Sequence, residues 1–370
     1  MSIALQQKSP PAAHSGSAIR VLIVDDSVVA RAVLARMVGE RPGFEVVGQA
    51  DGAAAALRIV DTTAVDIILL DLEMPGVDGL AALPELIARS RGARVMIVSS
   101  ACADGGATTI AALADGAADT MLKPGVAALS GRFGDDLIER MRRIGQAPRV
   151  TAMPSPPQGR QETPAGAASR ALECVGIGAS TGGVHALTTF FAHLPASFAV
   201  PILITQHLPV PFMPYFADQL VEITGRPTRL AAAGMRPAAG EILLAPGDAH
   251  LTVARMAGIA HVRLERRRAP SGCLPSIDPM FASIGRTYGS AAIGIMLSGM
   301  GRDGAAGAET LVQEGGAVLA QDAATSVVWG MPGAVANAGL AHAVLPPDAI
   351  AKAVADWNAD RNKGSTVRWK

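Results

Sequence analysis

The chain has 370 residues, 49% hydrophobic and 4% aromatic, with Lys plus Arg and Asp plus Glu both totalling 32. That length predicts about two domains, and the charge balance gives no basis for a nucleic-acid binder or a membrane-surface protein. Cys102, Cys174 and Cys273 are scattered without a C-x-x-C pair, which argues against a disulfide framework or a zinc site and for a reducing cytoplasm.

Residues 1–18 lack the apolar core of a signal peptide and read as a disordered leader. No apolar run approaches the roughly 20 residues of a membrane helix, so no membrane insertion is expected. The first ordered run is "IRVLIVDDS" (19–27), followed by "FEVVGQA" (44–50), "DIILLDLEMPG" (66–76), "ARVMIVSS" (93–100) and "ADTMLKPG" (118–125). These continuous apolar runs alternate with Ala- and Leu-rich segments at helical spacing, such as "VVARAVLARMV". Strands apolar on both faces predict a parallel sheet covered by helices, a doubly wound, flavodoxin-like domain over 19–144.

Function in such sheets gathers at the carboxyl ends of the strands. Those ends carry Asp25 and Asp26, then Asp71, then Ser99, then Lys123. Converging carboxylates repel one another unless a hard cation sits among them, and Mg²⁺ suits an all-oxygen set. A carboxylate in that setting can accept a phosphoryl group, with Lys123 and the Ser99 hydroxyl contacting the phosphate. Singly, each of these residues is more often a cap, a turn former or a surface charge; together they lie in register on four strands. The motifs "VLIVDDS", "DIILLDLEMPGVDG", "VMIVSS" and "LKP" resemble the response-regulator receiver family. The resemblance implies phosphorylation at Asp71, with Mg²⁺ held by Asp25, Asp26, Asp71 and the Glu73 backbone carbonyl, and a cis Lys123–Pro124 bond. It also exposes a departure: Thr120 stands three residues before the lysine, where receivers commonly carry a switching Phe or Tyr.

Residues 145–170 hold five prolines and little apolar periodicity, which marks a flexible linker. A second α/β sheet is expected over 171–360, from "ALECVGIGAS", "VPILITQHLP", "EILLAPGDAHL", "AAIGIMLSGMG" and "GAVLAQD", with a tail at 361–370. The stretch "VGIGASTGG" supports two readings. As a dinucleotide fingerprint it has Gly176 and Gly178 but Thr181 at the third glycine's place. As a G-x-S-x-G nucleophile turn it sets Ser180 between strand and helix, with the Thr181 amide placed for an oxyanion. His207, ending an apolar strand, is the best base; His250 is a weaker rival. Asp303, in a glycine-rich loop after a buried strand, is the best orienting acid.

With these residues placed, the blocks "GIGASTGG", "TQHLP", "LAPGDAHL", "PSIDPMFASI", "SGMGRDGAAG", "GGAVLAQD" and "SVVWGMPGAV" resemble the chemotaxis protein-glutamate methylesterases, the CheB family. The resemblance implies a phosphorylation-regulated serine hydrolase acting on methyl-accepting chemoreceptors. It would release methanol from glutamate γ-methyl esters and deamidate glutamines, with a catalytic set of Ser180, His207 and Asp303. Backbone near Thr181 and Met300 would form the oxyanion hole, and ester hydrolysis would need no cofactor. A sensor histidine kinase of a chemosensory array would supply the phosphoryl group, in the cytoplasm. Ser298 replaces the Thr more usual before "GMG", with little consequence expected. Two sites joined by a linker further predict that the unphosphorylated receiver covers the serine site. The basic run "RLERRRAP" (263–270) is either a surface for acidic receptor or a solvated hairpin tip. The competing reading is a receiver-regulated nucleotide- or DNA-binding output protein.

Overall fold

The computed structural model describes residues 18–74, 79–99, 103–123, 132–146 and 171–362. The first alternation of strands and helices runs β1 (Ile19–Val24), α1 (Val28–Gly39), β2 (Phe44–Ala50), α2 (Ala53–Thr62), β3 (Ile67–Leu70), α3 (Gly79–Arg89), β4 (Arg94–Ser99), α4 (Ala103–Ala114), β5 (Asp119–Leu122) and α5 (Arg132–Gln146). Every strand pairing is parallel, in the order β2-β1-β3-β4-β5. All four residues of β3, Ile-Ile-Leu-Leu, are buried, as expected of a strand covered on both faces. The strand order reverses between β1 and β3, so the crevice at their carboxyl ends lies between Asp25 and Asp71.

The second sheet is built from β6 (Cys174–Ala179), β7 (Ile202–Gln206), β8 (Thr228–Leu230), β9 (Ile242–Leu244), β12 (Ala292–Met296), β13 (Ala317–Gln321) and β14 (Ala343–Leu345). Its order is β14-β13-β12-β6-β7-β9-β8, again parallel throughout. Helices α6 (Gly183–His193), α7 (Met213–Thr224), α8 (Ile277–Tyr288), α9 (Ala305–Gln313), α10 (Met331–Asn337) and α11 (Pro347–Asn362) complete the alternation. The fold is thus two doubly wound parallel α/β sheets, as the alternating apolar runs predict.

Two details differ from the sequence reading. "EILLAPGDAHL" is not one strand: β9 ends at Leu244, and His250 opens β10 (His250–Met256), which pairs antiparallel with β11 (Ile259–Glu265). Gly247 at φ +88° breaks the run, because only a residue without Cβ takes that left-handed turn freely. The tip of this hairpin is Ala257–Gly258. "RLERRRAP" therefore lies along the end of β11 and beyond it, not at the tip, with Arg266, Arg267 and Arg268 exposed.

The glycines of β6 have a packing cause. A Cβ on Gly176 would stand 2.6 Å from Ile284 Cδ1, and one on Gly178 would stand 2.6 Å from Ile277 Cγ2. Two residues apart on a strand, they share one face, and their missing side chains let α8 lie close against the sheet centre.

The two sheets meet through α4, β5 and α5 on one side and α6, α7 and the loops after β6 and β12 on the other. The Gly182 amide donates to Ala118 O at 2.7 Å. The Thr181 hydroxyl donates to Asp119 Oδ2 at 3.0 Å, itself paired with Arg140 at 3.0 Å. His185 Nδ1 lies 2.8 Å from Ala114 O, at the end of α4, one of the carbonyls a helix terminus leaves without an internal partner.

Candidate functional site

In the second sheet, the reversal of strand order falls between β12 and β6. Parallel sheets open a ligand crevice there, beyond the strand ends. Register puts Ala179 of β6 opposite Gln206 of β7, so Ser180 and His207 are the first residues past a paired strand end. The His207 amide donates to Ala179 O at 3.0 Å, and the Ser180 amide donates to Ser298 O at 3.0 Å. Gly299 keeps the floor clear: a Cβ there would lie 2.9 Å from Ser180 Cβ. Gly182, at φ +74°, turns the chain from the strand into α6. This is the sharp strand-to-helix bend a nucleophile turn requires.

Asp303 follows β12 and is 4% exposed. Its Oδ2 accepts from His207 Nε2 at 2.9 Å and from the Ile277 amide at 2.8 Å, while Oδ1 accepts from the Ser276 hydroxyl at 2.5 Å. Burial alone would raise this carboxyl; the His207, Ser276 and Ile277 bonds overcome it and hold Asp303 well below the usual carboxylate range. A carboxylate only accepts, so the proton between the two groups sits on His207 Nε2 and leaves Nδ1 with the lone pair. The ring nitrogens are thus used in the reverse sense to the chymotrypsin triad, in which Nδ1 faces the acid. Next to Asp303, burial and the Asp303 charge push the Asp278 carboxyl up.

His250, the rival base, is fully engaged elsewhere. Its Nδ1 accepts the Ser276 amide at 2.9 Å and its Nε2 lies 2.6 Å from Arg267 O. It fixes the loop that presents Ser276 to Asp303. The nucleophile loop is held from below by Ser298, whose hydroxyl donates to Thr181 O at 2.8 Å, and by Gln206, whose amide donates to Ser180 O at 2.9 Å. A Thr at 298 would offer the same hydroxyl. Met300 sits at the seam between the sheets, its sulfur 3.0 Å from Arg143 Nη1.

Ser276, the Ile277 amide, Gln206, Asp119 and Cys273 all serve or border this site and were not singled out by sequence. Ser276 and Ile277 fall inside "PSIDPMFASI", which carries a family likeness but no side-chain type that announces a role. Gln206 adjoins His207 and was legible only by position.

At the first sheet's crevice, Asp25, Asp26 and Asp71 bring carboxylate oxygens within 4.8 Å of one another. Asp25 and Asp71 are buried; Asp26 is exposed. Such hard oxygen donors, open on one side, fit Mg²⁺ with retained waters. Lys123 Nζ donates to Asp25 Oδ2 at 2.5 Å and to Asp71 Oδ2 at 2.8 Å. Burial pushes the Asp71 carboxyl up despite this pairing. For Lys123, burial acts downward, but bonds to both carboxylates leave the ammonium above its ordinary value. Its amide donates to Ser99 O at 2.7 Å, joining the β4 and β5 ends. The Glu73 amide donates to Asp71 Oδ1 at 3.1 Å. Thr120 is 1% exposed, and its hydroxyl has no hydrogen-bond partner among the described residues. Pro124, and with it the expected cis bond, lies outside the described residues.

Comparison with known proteins places each sheet in a known family. Residues 21–133 match the "Response regulator receiver domain" family model, and residues 175–354 match "CheB methylesterase". A relative from Caulobacter vibrioides, named protein-glutamate methylesterase/protein-glutamine glutaminase 2, is 43% identical over 91% of this chain and 98% of its own. One of the same kind from Anaeromyxobacter dehalogenans is 40% identical over 92% and 96%. Among solved structures, the CheB methylesterase catalytic domain of Thermotoga maritima is 33% identical, covering 50% of this chain and 99% of its own, with a TM-score of 0.49.

Proposed function

Because the chain belongs to the CheB methylesterase family, we infer that it is a phosphorylation-regulated protein-glutamate methylesterase and protein-glutamine glutaminase. Its substrates are methyl-accepting chemoreceptors, and its work is in the cytoplasm; no described helix is long and apolar enough to cross a membrane. We divide it into a receiver (19–144), a linker (145–170) and a catalytic domain (171–360). The observation that carries the reading is the His207–Asp303 bond beside Ser180, at the switch point of the second sheet.

In this proposal the Ser180 hydroxyl attacks the γ-carbonyl of a methylated glutamate while His207 Nδ1 takes its proton. Asp303 stabilises the imidazolium that forms. The Thr181 amide and backbone near Met300 receive the oxyanion. His207 then gives the proton to methoxide, which leaves as methanol, and a water repeats the sequence to free the carboxylate. With glutamine as substrate, ammonia leaves by the same steps.

Control comes from the other crevice. A histidine kinase is the expected phosphodonor and Asp71 the acceptor, with Lys123 and Ser99 contacting the phosphoryl oxygens. Asp25, Asp26, Asp71 and the Glu73 carbonyl would hold Mg²⁺, which when bound offsets charge on the incoming group. The seam through Thr181 and Gly182 supports an arrangement in which the receiver restrains the nucleophile loop and phosphorylation releases it. A nucleotide-binding alternative has lost its footing, since Gly176 and Gly178 make room for α8.

The test is methanol release from methylated receptor by wild type, Ser180→Ala and Asp71→Ala. Ser180→Ala should lose the activity, and Asp71→Ala should lose stimulation by a phosphodonor while keeping a basal rate. Full activity in Ser180→Ala overturns the assignment.

A further inference from the structure

We propose that Cys273, His207 and Asp303 form a binding site for a thiophilic divalent cation of the zinc class, and that occupation of this site switches the esterase off. The ligand-capable atoms of these three residues all lie within 4.8 Å of one another. Tetrahedral zinc with bonds of about 2.0–2.3 Å places its ligands about 3.3–3.8 Å apart, so closing on the ion needs movements of about an ångström. Cys273 and His207 are partly exposed while Asp303 is buried, which leaves a side for entry. One sulfur, one nitrogen and one oxygen donor form a set that selects zinc or cadmium over Mg²⁺.

The outer shell is already built. Asp303 is fixed by the Ser276 hydroxyl and the Ile277 amide, and Ser276 is tied back to His250. Such partners hold metal ligands in place and raise affinity. By contrast, the Cys273 sulfur has, among the described residues, only a 4.0 Å contact with Ser271 O, so little is given up when it turns to a metal. Burial, with the Asp303 charge, pushes the Cys273 thiol up. A metal forms its bond to the sulfur as the S–H proton leaves for solvent. To share the ion with Asp303, His207 must bind it through Nε2: the proton there is released while Nδ1 takes one up, so the ring's single lone pair points at the metal and none is left for the Ser180 proton. Water fills the fourth position.

Binding stands on geometry alone, whereas the loss of rate rests on His207 being the base. The experiment uses the full chain, with excess Mg²⁺ to keep the receiver's oxygen site filled. Co²⁺ should give a thiolate-to-cobalt absorbance band that Zn²⁺ erases and that Cys273→Ser and Cys273→Ala both lack. In the esterase assay, Zn²⁺ should inhibit wild type reversibly, with activity restored by a chelator. Loss of an outer-shell partner alone lowers affinity about 10–100-fold, so loss of the sulfur should raise the half-inhibiting Zn²⁺ concentration at least as much. No cobalt band, equal inhibition of wild type and both variants, or a rate increase with Zn²⁺ each overturns the proposal. A cobalt band with an undiminished rate supports the site, overturns the switch and counts against His207 as base.

Discussion

Asp119→Ala tests whether the receiver restrains the esterase. Asp119 is 7% exposed, and its carboxylate accepts the Thr181 hydroxyl across the seam at 3.0 Å. A buried hydrogen bond to a charged group contributes about 1.5–3 kcal/mol. Since about 1.4 kcal/mol is a factor of ten, its loss should weaken the closed arrangement by about 10- to 150-fold. Basal methanol release by unphosphorylated protein should rise towards the phosphorylated rate, and the remaining stimulation by phosphodonor should shrink in proportion. Thr181→Val removes the same bond from the other side while keeping the amide that faces the oxyanion. If one bond carries the effect, the double variant should be no more active than the stronger single. An unchanged basal rate in Asp119→Ala with normal phosphodonor stimulation would refute the reasoning. So would gains in the two singles that multiply in the double.

Other consequences follow from the same contacts. Asp303→Asn should lower the turnover rate by about 10⁴-fold, the loss known for the equivalent change in the serine protease triad. It should also alter acid stability: a depressed folded pKa contributes stability above the unfolded value of about 3.9, lost as pH falls through the folded value. Melting curves of wild type and variant should therefore differ most near neutrality and converge well below pH 4. Gly178→Ala puts a methyl 2.6 Å from Ile277 Cγ2. It should destabilise by about 1–3 kcal/mol and slow hydrolysis, because the Ile277 amide that shifts is a donor to Asp303; an unchanged rate would separate the helix from the site. Mg²⁺ at 100 times its Kd should stabilise by about 2.7 kcal/mol, seen as a rise in Tm that Asp26→Ala diminishes.

Much of the arrangement is legible in the sequence. Parallel strands deliver their terminal residues to one rim, which brings Asp25, Asp71 and Lys123 together, while the G-x-S-x-G turn and the loops after two other strands bring Ser180, His207 and Asp303 to the second crevice. The β10–β11 hairpin is only half legible: Ala260, Val262 and Leu264 alternate with polar residues along β11, but His250-Leu-Thr-Val in β10 is buried throughout and hides the pairing strand. The sense of the glycines in β6 was also hidden, since close helix approach and phosphate approach both call for a missing Cβ. Contacts between the sheets left no trace either. Thr181 and Asp119 are 62 residues apart, and neither type announces an interface. Cys273 was passed over because a lone thiol has no spacing to read; its partners come from two other loops.

The Gly182–Ala118 bond has a bearing on how such a protein can diverge. It is main chain on both sides, so ordinary substitution cannot delete it; only loss of the amide itself, as with proline, would. Thr181 and Asp119 are side chains and free to drift. In the proposed arrangement, restraint of the esterase therefore has a floor that neutral change does not erode, and above it a margin that single substitutions can adjust, setting how leaky the resting enzyme is without redesign of either sheet.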